Sequence, residues 1–212
     1  MNTAAFSRFG CGVVALLLGF STLALAGPPL VCHPIAIGQA KSLPPVDPNY
    51  RKGSSSYDVS NLTRDTLAIL DSTPSVLVRM ETLRRATIYA GRNPQEAKEL
   101  LTRLHARAES APSTGIGALA WFDLGYLTAA LKQWTIEGES NPARGLEAYT
   151  LIQKAISLRG PDPEMEFGAA LVTLSGPALD HNDHVQKAIA GVKTDTLLAE
   201  NLAAFNVYTA SR

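Results

Sequence analysis

The sequence GIGALAWFDLGYLTAALKQWTI, residues 115–136, decides the fold of this chain. Apolar side chains surround this segment at helical spacing, and its only charged residues are Asp123 and Lys132. A helix that is apolar on every side is usually buried inside a domain, because it offers no polar face to water. We therefore expect a central helix here, with Trp121 and Leu124 buried between neighbouring helices.

Amphipathic helices are predicted on both sides of this segment, and no stretch shows the sustained period-2 alternation of a strand. Four predicted helix starts share one signal, a capping residue followed by proline at the first helical position. These starts are Thr73-Pro74, Asn93-Pro94, Asn141-Pro142 and Asp162-Pro163. Gly91 and Gly160 are placed to close helices in the left-handed conformation. The predicted helices are 61–71, 74–90, 94–109, 115–136, 142–159, 163–174, 183–191 and 195–207, within a single α-helical domain spanning residues 59–212.

The first 26 residues have the pattern of a secretory signal peptide. Arg8 precedes a short apolar run, and Ala24-Leu25-Ala26 places small residues before a Gly27-Pro28-Pro29 boundary. The apolar stretch is shorter than the roughly 20 residues that a membrane-spanning helix needs. We expect cleavage after Ala26, export to the periplasm or the exterior, and no membrane span in the mature chain. An uncleaved N-terminal anchor is the alternative.

Residues 27–58 are predicted to form an extended arm before the helical domain. The segment holds six prolines and the run Gly53-Ser54-Ser55-Ser56. Proline fixes φ and removes a backbone donor, which disfavours both helix and inner strand. Four apolar side chains could dock this arm onto the helical body. They are Val31, Ile35, Ile37 and Leu43.

The composition of the 212 residues excludes several classes of protein. Hydrophobic residues make up 46% and charged residues 18%, enough apolar content for a core and too little charge for general disorder. The 19 basic and 19 acidic side chains balance, whereas nucleic-acid-binding domains normally carry a basic face. Signal cleavage would remove Cys11 and leave Cys32 as the only cysteine, so no intramolecular disulfide is expected.

The helical segments resemble tetratricopeptide (TPR) repeats. Trp121-Phe122-Asp123-Leu124-Gly125 fits the Trp-x-x-Leu-Gly opening of such a repeat, and Ala148, Ile152, Ala155 and Pro161 resemble its second helix and closing proline. The resemblance covers about residues 74–192. It implies stacked antiparallel helical hairpins in which the small Gly125 and Ala148 allow close helix approach. An irregular helical bundle built by the same packing rules is the alternative.

The TPR resemblance also implies a binding surface for a protein or peptide. Segments 74–90, 115–136 and 163–174 would be the inner helices that line it. Arg79 and Arg84 are the candidate partner-binding residues, because an exposed arginine can make bidentate contacts with a carboxylate. Pairing of these arginines with Glu81 is the alternative.

Three further groups are candidates for chemistry. His181, His184 and Asp180 could bind a metal from a helix start, although a loop and N-cap formed by residues 180–184 is the more ordinary interpretation. Cys32 beside His33 could be a reactive thiol or a small buried apolar residue. Asp123 could be a buried acid or the partner of a nearby arginine.

No recognisable catalytic set is present, and no cofactor is expected. The sequence therefore favours an exported, non-enzymatic helical protein that binds a protein or peptide partner and no nucleic acid. Two alternatives remain: a metal-binding protein or enzyme using the 180–184 cluster, and a structural component of the cell envelope whose arm docks on a neighbour.

Overall fold

The computed structural model describes residues 29–47, 53–134, 141–174 and 177–209, and the predicted signal peptide lies outside them. The described ranges form an all-α bundle of nine α-helices and one short 3-10 helix (Val59–Asn61), without a β-strand, which confirms the predicted class. The helices are α1 (Pro29–Cys32), α2 (Leu62–Ser72), α3 (Val76–Ala90), α4 (Pro94–Ser110), α5 (Gly115–Gln133), α6 (Ala148–Arg159), α7 (Pro163–Thr173), α8 (Ala178–Ala190) and α9 (Thr196–Thr209). None of these helices has the length and apolar character needed to cross a membrane.

Helix α5 lies at the centre of the bundle, where it contacts α1, α3, α4, α6 and α7. Its side chains Phe122, Leu124 and Tyr126 are fully buried, so the central position predicted for this segment is confirmed. Helix α3 is enclosed to a similar degree, since every residue in it except Arg85 is buried. The sequence predicted only one buried face for α3.

The prediction of a buried Trp121 is wrong in detail. Trp121 is only partly buried, and the Lys154 ammonium lies 3.3 Å from the centroid of its ring. The neighbouring Phe122 takes the fully buried position. The Trp121 ring lies instead beside Lys154 of α6.

The four predicted helix starts have different outcomes. The Thr73-Pro74 start is wrong, because α3 begins at Val76 with Ser75 as its cap, and Asn93 precedes Pro94 of α4 without a capping bond from its side chain. Asp162 caps α7 as expected, accepting hydrogen bonds from the backbone N–H groups of Glu164 and Met165. Asn141 instead forms a turn: its side chain accepts from the Ala143 N–H and donates to the Leu131 carbonyl at the C-terminal end of α5. Helix α6 therefore begins at Ala148 rather than at residue 142.

The two glycine stops also differ from one another. Gly160 follows α6 with a φ of +80°, in the left-handed range that glycine was predicted to supply. Gly91 ends α3 with a right-handed φ of −58°, so the predicted left-handed stop is wrong there. A Cβ at Gly91 would lie 1.9 Å from the Trp134 Nε1 atom, and this close approach is what requires glycine.

Helices α5 and α6 form a closely packed antiparallel pair. A Cβ added at Gly125 would lie 2.7 Å from Ile152 Cγ1 and 3.1 Å from the Ala148 carbonyl oxygen. The predicted role of Gly125 and Ala148 in close helix approach is therefore confirmed for this pair.

The N-terminal arm packs onto the helices and belongs to the same hydrophobic core. Val31, Ile35, Ile37 and Leu43 are all buried, as predicted for a docked arm. The short helix α1 (Pro29–Cys32) was not predicted, because the prolines favoured extended chain. Proline is compatible with a helix when it occupies the first position, where its missing N–H has no partner to lose.

Candidate functional site

A buried carboxylate on α3, that of Glu81, organises the contact between the arm and the helices. The residue is 1% exposed, and its two oxygens accept hydrogen bonds from Arg84 Nε at 2.7 Å, Arg84 Nη2 at 2.8 Å and Arg85 Nε at 2.6 Å. The backbone N–H of Ile35 donates to the same carboxylate at 2.9 Å. Glu81 therefore binds two arginines of its own helix and one backbone group of the arm.

The two arginines extend this contact along the arm. Arg84 Nη1 donates to the carbonyl of Val31 at 2.9 Å, and Arg85 Nη1 donates to the carbonyl of Leu43. Each guanidinium is thus fixed by Glu81 and directed at a backbone oxygen of the arm. These bonds engage backbone groups, so they hold the arm in place whatever side chains it carries.

Asn201 on α9 makes a paired contact with the arm. Its Oδ1 accepts from the Ala36 N–H at 2.8 Å, while its Nδ2 donates to the Ala36 carbonyl at 2.9 Å. Ile35 and Ile37, on either side, are buried. The arm is therefore held here by its backbone at one residue and by apolar side chains at the two neighbours.

Further polar contacts follow the arm at both ends. The Leu30 N–H donates to Gln133 Oε1 at 2.9 Å, and the Ser42 and Thr82 hydroxyls are hydrogen-bonded at 3.0 Å. The Tyr89 hydroxyl lies 3.3 Å from the carbonyl oxygens of both Pro44 and Pro45. We call the body side chains that bind the arm backbone the arm-binding face, namely Glu81, Arg84, Arg85, Tyr89, Gln133 and Asn201.

The prediction that Arg79 and Arg84 are exposed is wrong. Arg84 is 2% exposed and Arg79 is 5% exposed, and both have partners within the chain. The sequence-based pairing of Arg84 with Glu81 is confirmed. Arg84 does contact a polypeptide segment, but the segment is the arm of the same chain.

Arg79 is the partner of the buried Asp123. Its Nη1 lies 2.5 Å from Asp123 Oδ2, while its Nε donates to the Thr73 carbonyl at 3.1 Å and its Nη2 to the Leu70 carbonyl. Burial raises the pKa of Asp123, and the nearby Arg79 charge and hydrogen bond oppose that rise. The predicted arginine partner of Asp123 is therefore present, and the pair joins α3 to α5.

The 180–184 cluster lies inside α8, so the predicted loop and N-cap are wrong. Helix α8 begins at Ala178, and the two histidines point towards α7. His181 Nδ1 lies 3.0 Å from the Ala170 carbonyl oxygen. Asp183 forms a surface ion pair with Lys187 at 2.6 Å instead of capping a helix.

His184 links three helices through both of its ring nitrogens. Nδ1 lies 2.5 Å from Glu166 Oε2 on α7, and Nε2 lies 2.9 Å from the Tyr149 hydroxyl on α6. His184 and Glu166 are 6% and 5% exposed. A nitrogen engaged in a hydrogen bond is not free to bind a metal, and the described ranges contain no group of three or more potential ligands placed to hold one.

Cys32 lies half-buried at the end of α1. Burial raises the pKa of its thiol, and the Arg84 charge opposes the rise. The thiolate is the reactive form of cysteine, so this environment disfavours the predicted reactivity.

Sequence reasoning missed Asn201 and Glu166, whose partners Ala36 and His184 lie 165 and 18 residues away along the chain. Asn201 stands 165 residues from its partner, and nothing in the local pattern of α9 distinguishes it from a surface amide.

Compared with protein-family models, curated proteins and solved structures, the chain has no match.

Proposed function

We propose that this chain is an exported, non-enzymatic binding protein that holds a non-helical segment of a protein or peptide partner on the arm-binding face. The observation that carries this proposal is the set of hydrogen bonds between the side chains of Glu81, Arg84 and Asn201 and backbone groups of the arm. Side chains that bind backbone groups accept many sequences, because every residue other than proline offers the same donor and acceptor.

The apolar contacts would supply selectivity. Ile35 and Ile37 are buried on either side of Ala36, whose backbone is bound by Asn201. Recognition of extended peptides commonly combines main-chain hydrogen bonds with pockets for alternate side chains. A partner segment would therefore carry apolar residues two positions apart around a small residue, as the arm does.

The arm is the internal competitor of such a partner. Because it belongs to the same chain, its effective concentration at the arm-binding face is about millimolar or higher. A partner must either bind tightly or meet a chain whose arm is weakly held. An experiment should therefore change how tightly the arm is bound to the arm-binding face.

The test uses a labelled synthetic peptide of residues 29–47 and the chain expressed as residues 27–212. In an Ile35→Ser/Ile37→Ser variant, whose own arm is weakened, we expect saturable peptide binding at least about 10-fold tighter than in the parent chain. Adding Asn201→Leu to that variant should reverse the gain. A peptide with Ala36→Pro, which lacks the donor that Asn201 accepts, is the matched control ligand.

Two outcomes would contradict the proposal. If the folded Ile35→Ser/Ile37→Ser variant does not bind the peptide, or binds the Ala36→Pro peptide equally well, the arm-binding face does not accept a segment in trans. Circular dichroism of each variant establishes that the helices remain folded.

Export is tested separately by the mass of the protein recovered from outside the cytoplasm. We expect a chain that begins at Gly27, because Ala24 and Ala26 supply the small residues that signal cleavage requires. Recovery of a chain that retains Met1 in the membrane fraction would favour the anchor instead.

A further inference from the structure

A groove of about 500 Å³ lies between α6, α7 and α8, apart from the arm-binding face. This volume is within the range of about 300–1,000 Å³ that is usual for small-molecule sites. Its apolar lining is contributed by Ile156, Pro161, Pro163 and Ala190. Three charged side chains also line it, those of Asp162, Glu166 and Lys187.

Glu166 supplies a fixed carboxylate to this groove. The residue is 5% exposed, and its Oε2 lies 2.5 Å from His184 Nδ1. His184 Nε2 also lies 2.9 Å from the Tyr149 hydroxyl, so both ring nitrogens have a partner. These contacts fix the orientation of the Glu166 carboxylate at the wall of the groove.

Lys187 supplies a movable positive charge at the opening of the groove. Its side chain is 53% exposed and forms an ion pair with Asp183, whose side chain is 58% exposed. Exposed ion pairs contribute little to stability. The ammonium can therefore exchange Asp183 for the carboxylate of a ligand at little cost.

Asp162, the third charged residue in the lining, already has several partners within the chain. Asp162 accepts the N–H groups of Glu164 and Met165 and pairs with Arg159 Nε at 2.8 Å. Glu166, which contacts His184 through one of its two oxygens, and Lys187, whose partner Asp183 is exposed, are the two charges that we assign to a ligand, beside an apolar wall.

We propose that this groove binds a small zwitterion, an α-amino acid with an apolar side chain. The ligand ammonium pairs with Glu166 and its carboxylate with Lys187, while the side chain lies against Ile156 and the two prolines. Charge complementarity selects this occupant, since a ligand with one charge can pair with only one of the two groove side chains. The proposal does not depend on binding at the arm-binding face.

Calorimetric titration of the chain expressed as residues 27–212 tests this inference with L-leucine and two analogues. The compound 4-methylpentanoate lacks the ammonium, and 3-methylbutylamine lacks the carboxylate. We expect leucine to bind and each analogue to bind at least about 10-fold more weakly, because a hydrogen bond to a charged group contributes about 1.5–3 kcal/mol.

Three variants locate the site. Glu166→Gln keeps the shape of the side chain and removes its charge, Lys187→Met removes the ammonium, and Ser157→Trp fills the groove from an exposed position. Each should weaken leucine binding at least about 10-fold. The matched controls are Asp71→Asn and Lys98→Met, exposed charges distant from the groove, which should leave leucine binding unchanged.

The inference is overturned if leucine does not bind below a Kd of about 10 mM, or if either analogue binds as well as leucine. It is also overturned if Lys187→Met and Ser157→Trp, which leave the contacts of His184 intact, bind leucine like the parent chain. The Ser157→Trp variant keeps the test decisive if Glu166→Gln fails to fold.

Discussion

Arg79 stabilises two helices other than its own. Its guanidinium donates to the carbonyls of Leu70 and Thr73 at the end of α2 and pairs with Asp123 on α5. The last carbonyls of a helix have no partners within it, and a positive charge near them also interacts favourably with the helix dipole. The buried Arg79 guanidinium thus caps the C-terminal end of α2 and forms an ion pair with Asp123 in the central helix α5.

The first prediction concerns this buried pair. Asp123→Ala should lower the free energy of unfolding by about 3–5 kcal/mol, because it leaves the Arg79 charge buried without its carboxylate partner. Asp71→Ala, which removes the acid of an exposed pair with Arg107, should cost less than about 1 kcal/mol. Urea unfolding followed by circular dichroism measures both.

A double variant separates charge from packing at the same position. Arg79→Met/Asp123→Leu removes both charges, so it should be more stable than Asp123→Ala alone. Equal losses in Asp123→Ala and Asp71→Ala would mean that the buried pair contributes no more than a surface pair.

At the level of single residues, the sequence predicted hydrogen-bond partners better than it predicted burial. The Glu81–Arg84 pairing follows from their spacing on one helix, and the Asp162 cap follows from the proline after it. The burial of Arg84 depends on the arm that covers it. Asn141 has the same local signal as Asp162, but its contact with the end of α5 makes it a turn.

Among the elements, the contact between α5 and α6 depends on one small residue. Gly125→Val should destabilise the protein by about 1–3 kcal/mol, because the added atoms enter a packed interface. The nearest atoms include the Ala148 carbonyl oxygen and the Ile152 backbone nitrogen, both at 3.1 Å, which move only if α6 moves. Thermal unfolding is the measurement.

The matched control is another glycine of the same helix. A Cβ at Gly115, the first residue of α5, would lie 3.6 Å from the Leu158 carbonyl oxygen, an ordinary contact. Gly115→Ala should therefore leave the melting temperature unchanged or raise it slightly. A Gly125→Val melting temperature equal to that of Gly115→Ala would show that α5 and α6 can separate without loss.

Glu164 connects α7 to the start of α3. Its carboxylate accepts hydrogen bonds from the N–H groups of Val76 at 2.6 Å and Leu77 at 3.1 Å. Desolvation raises the pKa of Glu164, these backbone bonds oppose the rise, and the neighbouring Asp195 carboxyl adds to it. The net shift is upward.

This shift predicts a pH dependence with a definite sign. A folded-state pKa above the unfolded value means that the folded protein binds the proton more tightly. The resulting stability is present below about pH 4, where both states are protonated, and is lost as pH rises through the raised pKa. Glu164→Gln is neutral throughout, so its stability relative to the parent chain should increase from acidic to neutral pH in urea titrations. A constant difference would contradict the upward shift.

The existence of most elements could be predicted from sequence, whereas their ends depended on tertiary contacts. The apolar composition of α5 was sufficient to place it at the centre. The polar residues at 180–184 favoured a loop, yet they lie in α8 because His181 and His184 find partners on α7 and α6. The local hydrophobic periodicity of the sequence does not indicate those partners.

At the scale of the whole molecule, the arm and the helices share one hydrophobic core. The apolar residues of the arm indicated that it could dock on the helices, but they did not indicate where. Helix α1 contacts α3, α5 and α7, the three helices that the TPR resemblance assigned to an inner surface. The arm is also held by the contact between Ala36 and Asn201 of α9, which are 165 residues apart, so its position could not be derived from neighbouring residues.

The last prediction asks whether the arm unfolds together with the helices. Leu43 is 1% exposed, and its carbonyl accepts a hydrogen bond from Arg85. Leu43→Ala should lower the free energy of unfolding by about 2–5 kcal/mol, the usual cost of truncating a buried leucine. Gln39→Ala, at an exposed position of the same arm, should change it by less than about 0.5 kcal/mol. The helical circular dichroism signal reports the unfolding of the body, not of the arm. A lower urea midpoint of that signal in Leu43→Ala therefore means that arm contacts stabilise the whole bundle. An unchanged midpoint would show that the arm can detach while α3, α5 and α7 keep their packing.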